Sequence, residues 1–183
     1  MKVFLQTRFP NDILDVIRLY FPNEEFESCA EREDCDLFFN TVRLSDAEMY
    51  TCRKRKKSVT KRLEYNPSWT DLEWKRHAKR CSKLCAYECL KVSTGIDMPW
   101  GALTGIRPVK LARELGLRGE DVKKVLTEDL FVSKDKTALT LRTLENQRDV
   151  MNKDDNSVGF FVNIPFCTSR CAYCSFFTGD IKT

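Results

Sequence analysis

Three cysteines stand close together in Cys167-Thr168-Ser169-Arg170-Cys171-Ala172-Tyr173-Cys174, a C-x3-C-x2-C run. Thiolates this close within one loop can converge on a single soft metal centre. A cubane [4Fe–4S] cluster has four irons, so three cysteines leave one iron without a protein ligand. A small molecule can chelate that open corner, which suits catalysis better than plain electron transfer. Other readings fit less well. A structural zinc site closes four ligands, and the single histidine, His77, lies far upstream. An electron-transfer cluster uses a fourth cysteine nearby. Disulfides would leave one of the three unpaired, and the chain holds nine cysteines, an odd number, with no export signal. The plain alternative is three inert thiols in a loop.

The residues around the run are also specific. Phe161-Val162-Asn163-Ile164-Pro165-Phe166-Cys167, followed by Cys171, Tyr173, Cys174 and Phe176, resembles the signature of radical S-adenosylmethionine (SAM) proteins of the oxygen-independent coproporphyrinogen III oxidase type. That pattern is roughly Y-I-H-I-P-F-C-x3-C-x-Y-C-x-F. Upstream, PWGALTGIRPVKLARELG resembles the element found in the HemZ-like coproporphyrinogen dehydrogenase branch, where a helical region precedes the barrel. The likeness is strong over residues 98–178, looser over 68–97 and weak before that.

The resemblance implies a [4Fe–4S] cluster on Cys167, Cys171 and Cys174, with SAM chelating the fourth iron through its amino and carboxylate groups. One electron from the reduced cluster would cleave SAM to methionine and a 5′-deoxyadenosyl radical. That radical would take hydrogen from a porphyrinogen propionate, and loss of carbon dioxide would leave a vinyl group. An electron donor is therefore an implied partner, beside the porphyrinogen substrate. Tyr173 takes the aromatic position that packs against the cluster or the SAM adenine. Phe166 and Phe176 would dry the loop, and Arg170 would place positive charge beside an anionic cluster or simply sit in solvent. Phe161 stands where the family often has a tyrosine associated with SAM contact; it supplies no hydroxyl. Asn163 replaces a histidine that the HemZ-like branch often lacks. No residue is assigned as an acid, base or nucleophile. A radical SAM barrel takes roughly 200 residues, and only its first strand and cluster loop fit here. The implied object is thus an N-terminal part of such an enzyme, a weak cluster binder and inactive by itself. The alternative is a non-catalytic iron–sulfur or heme-binding relative, or a degenerate remnant that folds as a helical module.

The fold class expected is α+β: a small α+β unit over 1–65, a helical region over 66–150, and the start of a truncated radical SAM (β/α) barrel over 158–183. Residues 2–7 read as a strand. Pro10 opens a helix to Tyr20 whose apolar side is Ile13, Leu14, Ile17 and Leu19. Residues 25–29 could form a strand, and 35–43 and 47–54 read as two strands joined at Ser45-Asp46. Ser68 and Thr70 are good N-caps for a long helix to about Ser93, stopped by Gly95. Its stripe runs Trp74, Ala78, Cys81, Cys85, Cys89 and Val92. Pro108 suits the first turn of a helix ending near Gly116. Two further helices follow over 119–128 and 133–150, then a polar linker over 151–157. Gly159–Ile164 reads as a buried strand leading into the cysteines.

Composition adds little. Of 183 residues, 42% are hydrophobic and 32% charged, with a net charge of +4, as in ordinary soluble proteins. Neither nucleic acid nor a membrane span is expected, and with no signal peptide the cytoplasm is the expected location. The basic run 53–62 lacks the interleaved aromatics of a stacking platform and reads as a solvated turn. Cys81, Cys85 and Cys89 share one helix face; core packing explains them better than a second metal site. Arg107 could meet a porphyrin carboxylate or hold its loop. His77, among Arg76, Lys79 and Arg80, reads as a surface residue.

Overall fold

The first strand, β1 (Lys2–Gln6), feeds the helix α1 (Pro10–Tyr20), where Pro10 supplies a fixed φ at a position that needs no N–H. α1 crosses over to β2 (Glu27–Ser28), which pairs parallel with β1 at the sheet edge. Residues 1–30, 34–148, 158, 160–164, 166, 167, 179 and 180 are described in this computed structural model. They divide into two units, Met1–Gln147 and Arg148–Thr183.

In the first unit, β3 (Leu37–Arg43) lies parallel to β1, with Val3 opposite Leu37 and Gln6 opposite Asn40. β4 (Ala47–Lys54) and β5 (Lys57–Glu64) then continue antiparallel, giving the order β2-β1-β3-β4-β5. Sequence reading missed β5. The basic run is two strand ends joined by a tight turn at Arg55, whose φ is +52°. Its alternation puts Val59 and Leu63 against the core and sends Ser58, Thr60 and Arg62 the other way. The crowd of charges hid that period of two.

The long helix α2 (Asp71–Thr94) starts in a capping box: Glu73 N–H donates to Thr70 Oγ1 at 3.3 Å, and Thr70 N–H donates to a Glu73 carboxylate oxygen at 2.9 Å. Gly95 ends it at φ +73°. α1 and α2 cover one face of the sheet. There Val3, Leu37, Phe39, Tyr50 and Cys52 meet Ile13, Val16 and Ile17 from α1 and Ala78, Cys85, Cys89 and Leu90 from α2 in one core. Two stripe assignments are corrected: Leu19 and Val92 are 41% and 55% exposed, because the buried faces turn through Val16 and Tyr20 and through Ala86 and Leu90 instead. Cys85 and Cys89 are buried core residues. The Cys85 thiol donates to the Tyr50 carbonyl at 3.2 Å, and no metal-binding group of three or more His, Cys, Asp or Glu forms among the described residues.

Helices α3 (Pro108–Leu117) and α5 (Lys134–Asn146) follow, the latter capped by the Ser133 hydroxyl. Between them the helix expected over 119–128 is shorter and irregular. Gly119 at φ +74° delays it, α4 (Val122–Lys124) makes one turn on an Asp121 cap, and Val125–Asp129 widens into a π-turn. That widening brings Leu126 and Leu130 into a second core with Leu111, Leu115 and Val132.

In the second unit β6 (Phe166–Cys167) pairs parallel with β7 (Gly179–Asp180), with Phe166 opposite Gly179 and Cys167 opposite Asp180. The buried strand expected over Gly159–Ile164 does not form over its described residues, 160–164. Phe160, Phe161, Val162 and Ile164 have no ladder partner among the described residues and are 92%, 90%, 84% and 76% exposed. Apolar residues form a buried strand only when other elements pair with them and cover them. The polar linker expected over 151–157 lies outside the described residues.

Candidate functional site

Cys167 ends β6 with an exposed, unbridged thiol. Phe161 sits six residues before it, with its ring in solvent. Cys171, Tyr173 and Cys174 lie outside the described residues, as do Arg170 and Phe176. The donor set is uniform and soft, three thiols within eight residues, which fits an iron–sulfur cluster better than a hard cation held by oxygen ligands. In the core of the first unit, burial pushes Cys81 up to about 11 and Cys85 up to about 12, which makes these two poor ligands.

The PWGALTGIRP element belongs to the first unit. Pro99 and Trp100 enter it, and Gly101 turns it at φ +55°. Ala102 N–H donates to the Leu130 carbonyl at 2.9 Å, and Ser133 N–H donates to the Pro99 carbonyl at 3.0 Å, so the loop is bonded to the strained turn before α5. Gly105, at φ +63°, re-aims the chain into α3. Lys83 of α2 donates to the Thr104 carbonyl at 3.0 Å and also pairs with Asp12 of α1 at 3.1 Å. Lys79 pairs with the same carboxylate at 2.8 Å. Burial pushes the Asp12 carboxyl up, but the two ammonium groups together outweigh it and hold the carboxyl below its usual value. Asp12 thereby ties α1 to α2, and Lys83 ties both to the loop.

His77 is corrected. It is half-buried, and its imidazole stacks on Trp69 with ring centroids 3.9 Å apart and planes 2° from parallel. Burial, then the nearby Arg80 and Arg118, lower its pKa below the ordinary 6.5. Sequence reading also missed that Arg76, Lys79, Arg80 and Lys83 act as a group. Their spacing of three, four and seven places them on one side of α2. That period was legible, but nothing in the sequence says that the Thr104–Arg107 loop faces it.

Among the described residues, no helix is long and apolar enough to cross a membrane. No family model matches the chain, and no solved structure matches it. Over 118 residues, 61% of its length, the chain is 30% identical to the "Oxygen-independent coproporphyrinogen-III oxidase-like protein HemZ" of Bacillus subtilis (strain 168). The matched part is 24% of that protein, so the chain spans about a quarter of its relative's length. The similarity establishes a distant HemZ-like relationship.

Proposed function

We propose that the chain is the entry portion of a radical SAM enzyme acting on a porphyrinogen in heme biosynthesis, with Cys167, Cys171 and Cys174 as the ligands of a [4Fe–4S] cluster. The observation that carries this reading is the three-cysteine run itself, inside a chain distantly related to a coproporphyrinogen oxidase-like protein. When bound, the cluster and SAM supply a 5′-deoxyadenosyl radical able to take hydrogen from an unactivated carbon. The protein's part is positioning and exclusion of water. The thiolates of Cys167, Cys171 and Cys174 would hold the cluster, with SAM as its remaining ligand. Tyr173 and Phe161 would provide rings that shield SAM or the cluster, and Phe166 would lower polarity at the cluster's edge and so influence its potential. The exposed apolar run Phe160–Ile164 fits the first barrel strand, covered once a neighbouring strand and helix pack on it. In the whole enzyme the substrate would be oxidatively decarboxylated.

The test is anaerobic reconstitution of the chain with iron and sulfide, reduction with dithionite, and electron paramagnetic resonance with and without SAM. A cluster signal that shifts when SAM is added supports the open-corner reading. A signal indifferent to SAM would leave an iron–sulfur protein without this chemistry and overturn the enzyme proposal.

A further inference from the structure

The groove between α2, the Thr104–Arg107 loop and the start of α3 has a volume of about 580 Å3, within the range of small-molecule sites. Six cations line it, against the two carboxylates Asp12 and Glu114. Asp12 is already matched by Lys79 and Lys83, and Glu114 by Lys110 at 3.9 Å. Among the described residues, Arg76, Arg80 and Arg107 make no ion pair and no hydrogen bond through their guanidinium groups. Arg80 is half-buried, so its charge is partly withdrawn from water without compensation. Burial first, and Arg118 second, pull it below the ordinary arginine value.

Two more observations converge on the groove. Thr104 lines it and is 9% exposed, and its hydroxyl is buried without a hydrogen-bond partner. Native proteins seldom leave such a group orphaned, because it costs about 1–3 kcal/mol. The ten-residue helix α3 starts beside it with no capping side chain, so the positive end of its dipole adds to the groove's charge. Planar guanidiniums, an unfilled hydroxyl and an uncapped helix start together complement oxyanions.

We propose that this groove is a binding site for a small molecule carrying two or more oxyanion groups, carboxylate or phosphate, gripped by Arg76, Arg80 and Arg107 and hydrogen-bonded by Thr104. It lies wholly within the first unit and does not depend on the cysteine cluster. One charge would not satisfy three separate guanidiniums, and the volume exceeds that of a single anion.

Titration calorimetry of the full chain with citrate and with inorganic pyrophosphate separates the two sources, a carboxylate ligand from a phosphate one. At least one probe is expected to bind, more weakly as salt rises. Arg80→Gln and Arg107→Gln should each reduce affinity about tenfold, while Arg113→Gln, outside the groove, should not. Thr104→Val, which keeps the side chain's shape, should weaken binding without lowering the melting temperature of the unliganded chain. Arg80→Gln should melt no lower than the parent when no anion is present, since it removes an unpaired, half-buried charge. Failure of both probes to bind would overturn the proposal, as would undiminished binding in Arg80→Gln and Arg107→Gln proteins that retain their helical circular dichroism.

Discussion

Replacing Gly101 by alanine is expected to destabilise the first unit by about 3 kcal/mol or more. The melting temperature of a unit this size should then fall by about 10 °C. A Cβ at this position would lie 2.1 Å from the Leu130 carbonyl oxygen and 2.4 Å from the Phe131 carbonyl carbon. Both are backbone atoms, so no side chain can swing aside to make room. The turn at Leu130–Phe131 would have to retreat. With it would go the bond from Ala102 N–H to the Leu130 carbonyl and the contact between the Phe131 ring and Tyr87, whose centroids are 5.6 Å apart. Phe131 itself sits at φ +58°, a conformation that costs a non-glycine residue about 1 kcal/mol and persists only while the surroundings enforce it. Gly105→Ala is the control. Its φ of +63° is also left-handed, but a Cβ there meets nothing within 4 Å, so only the backbone cost of about 1 kcal/mol remains. Thermal melts followed by circular dichroism compare the two; equal losses would show that close approach is not why glycine stands at 101.

The second large effect is expected at Glu48, a fully buried carboxylate on β4. One Nη of Arg8 donates to its two oxygens at 2.7 and 2.8 Å, Arg43 Nε donates at 3.2 Å, and the Tyr50 hydroxyl donates at 2.5 Å. Arg8 and Arg43 are 36% and 67% exposed, so water can take over their solvation if the carboxylate is lost. Tyr50 has no such recourse. Burial and the adjacent carboxylate push its pKa up and keep its hydroxyl a donor. Glu48→Ala would strand that hydroxyl and open a void, at a cost of about 3 kcal/mol. Glu48→Gln keeps the shape and an acceptor, and should cost about 1 kcal/mol. Urea denaturation checks the order of the two; a Gln variant as unstable as the Ala variant would show that charge, rather than the tyrosine hydrogen bond, dominates.

Elements marked by local chemistry were legible in the sequence. Pro10 and Pro108 announced helix starts, the Thr70–Glu73 pair a capping box and Gly95 a helix end, because each acts within a few residues of itself. β5 was hidden because its period-two pattern rests on Val59 and Leu63 among basic residues, and its identity as a strand comes from pairing with β4. The π-turn at Val125–Asp129 answers to the second core, which no local signal reports. Gly159–Ile164 erred in the opposite direction. Its residues have strand character, but burial is a property of neighbours that the described residues do not provide. The spacing of Cys167, Cys171 and Cys174 is visible in the sequence, and their role as ligands is a proposal that rests on it. The cationic groove was not visible there, because it unites α2 with a loop more than twenty residues on, and only the tertiary fold puts Thr104 and Arg107 opposite Arg80.

The most direct measurement is the cluster content of single cysteine variants of the chain after anaerobic reconstitution, read as iron per chain and as the resonance of the reduced cluster. Cys167→Ala, Cys171→Ala and Cys174→Ala should each lose the signal, whereas Cys81→Ala, which removes a half-buried core thiol, should keep it. A signal undiminished in the first three, or absent from the parent chain as well, would contradict the assignment of these thiols as the ligands of an iron–sulfur cluster.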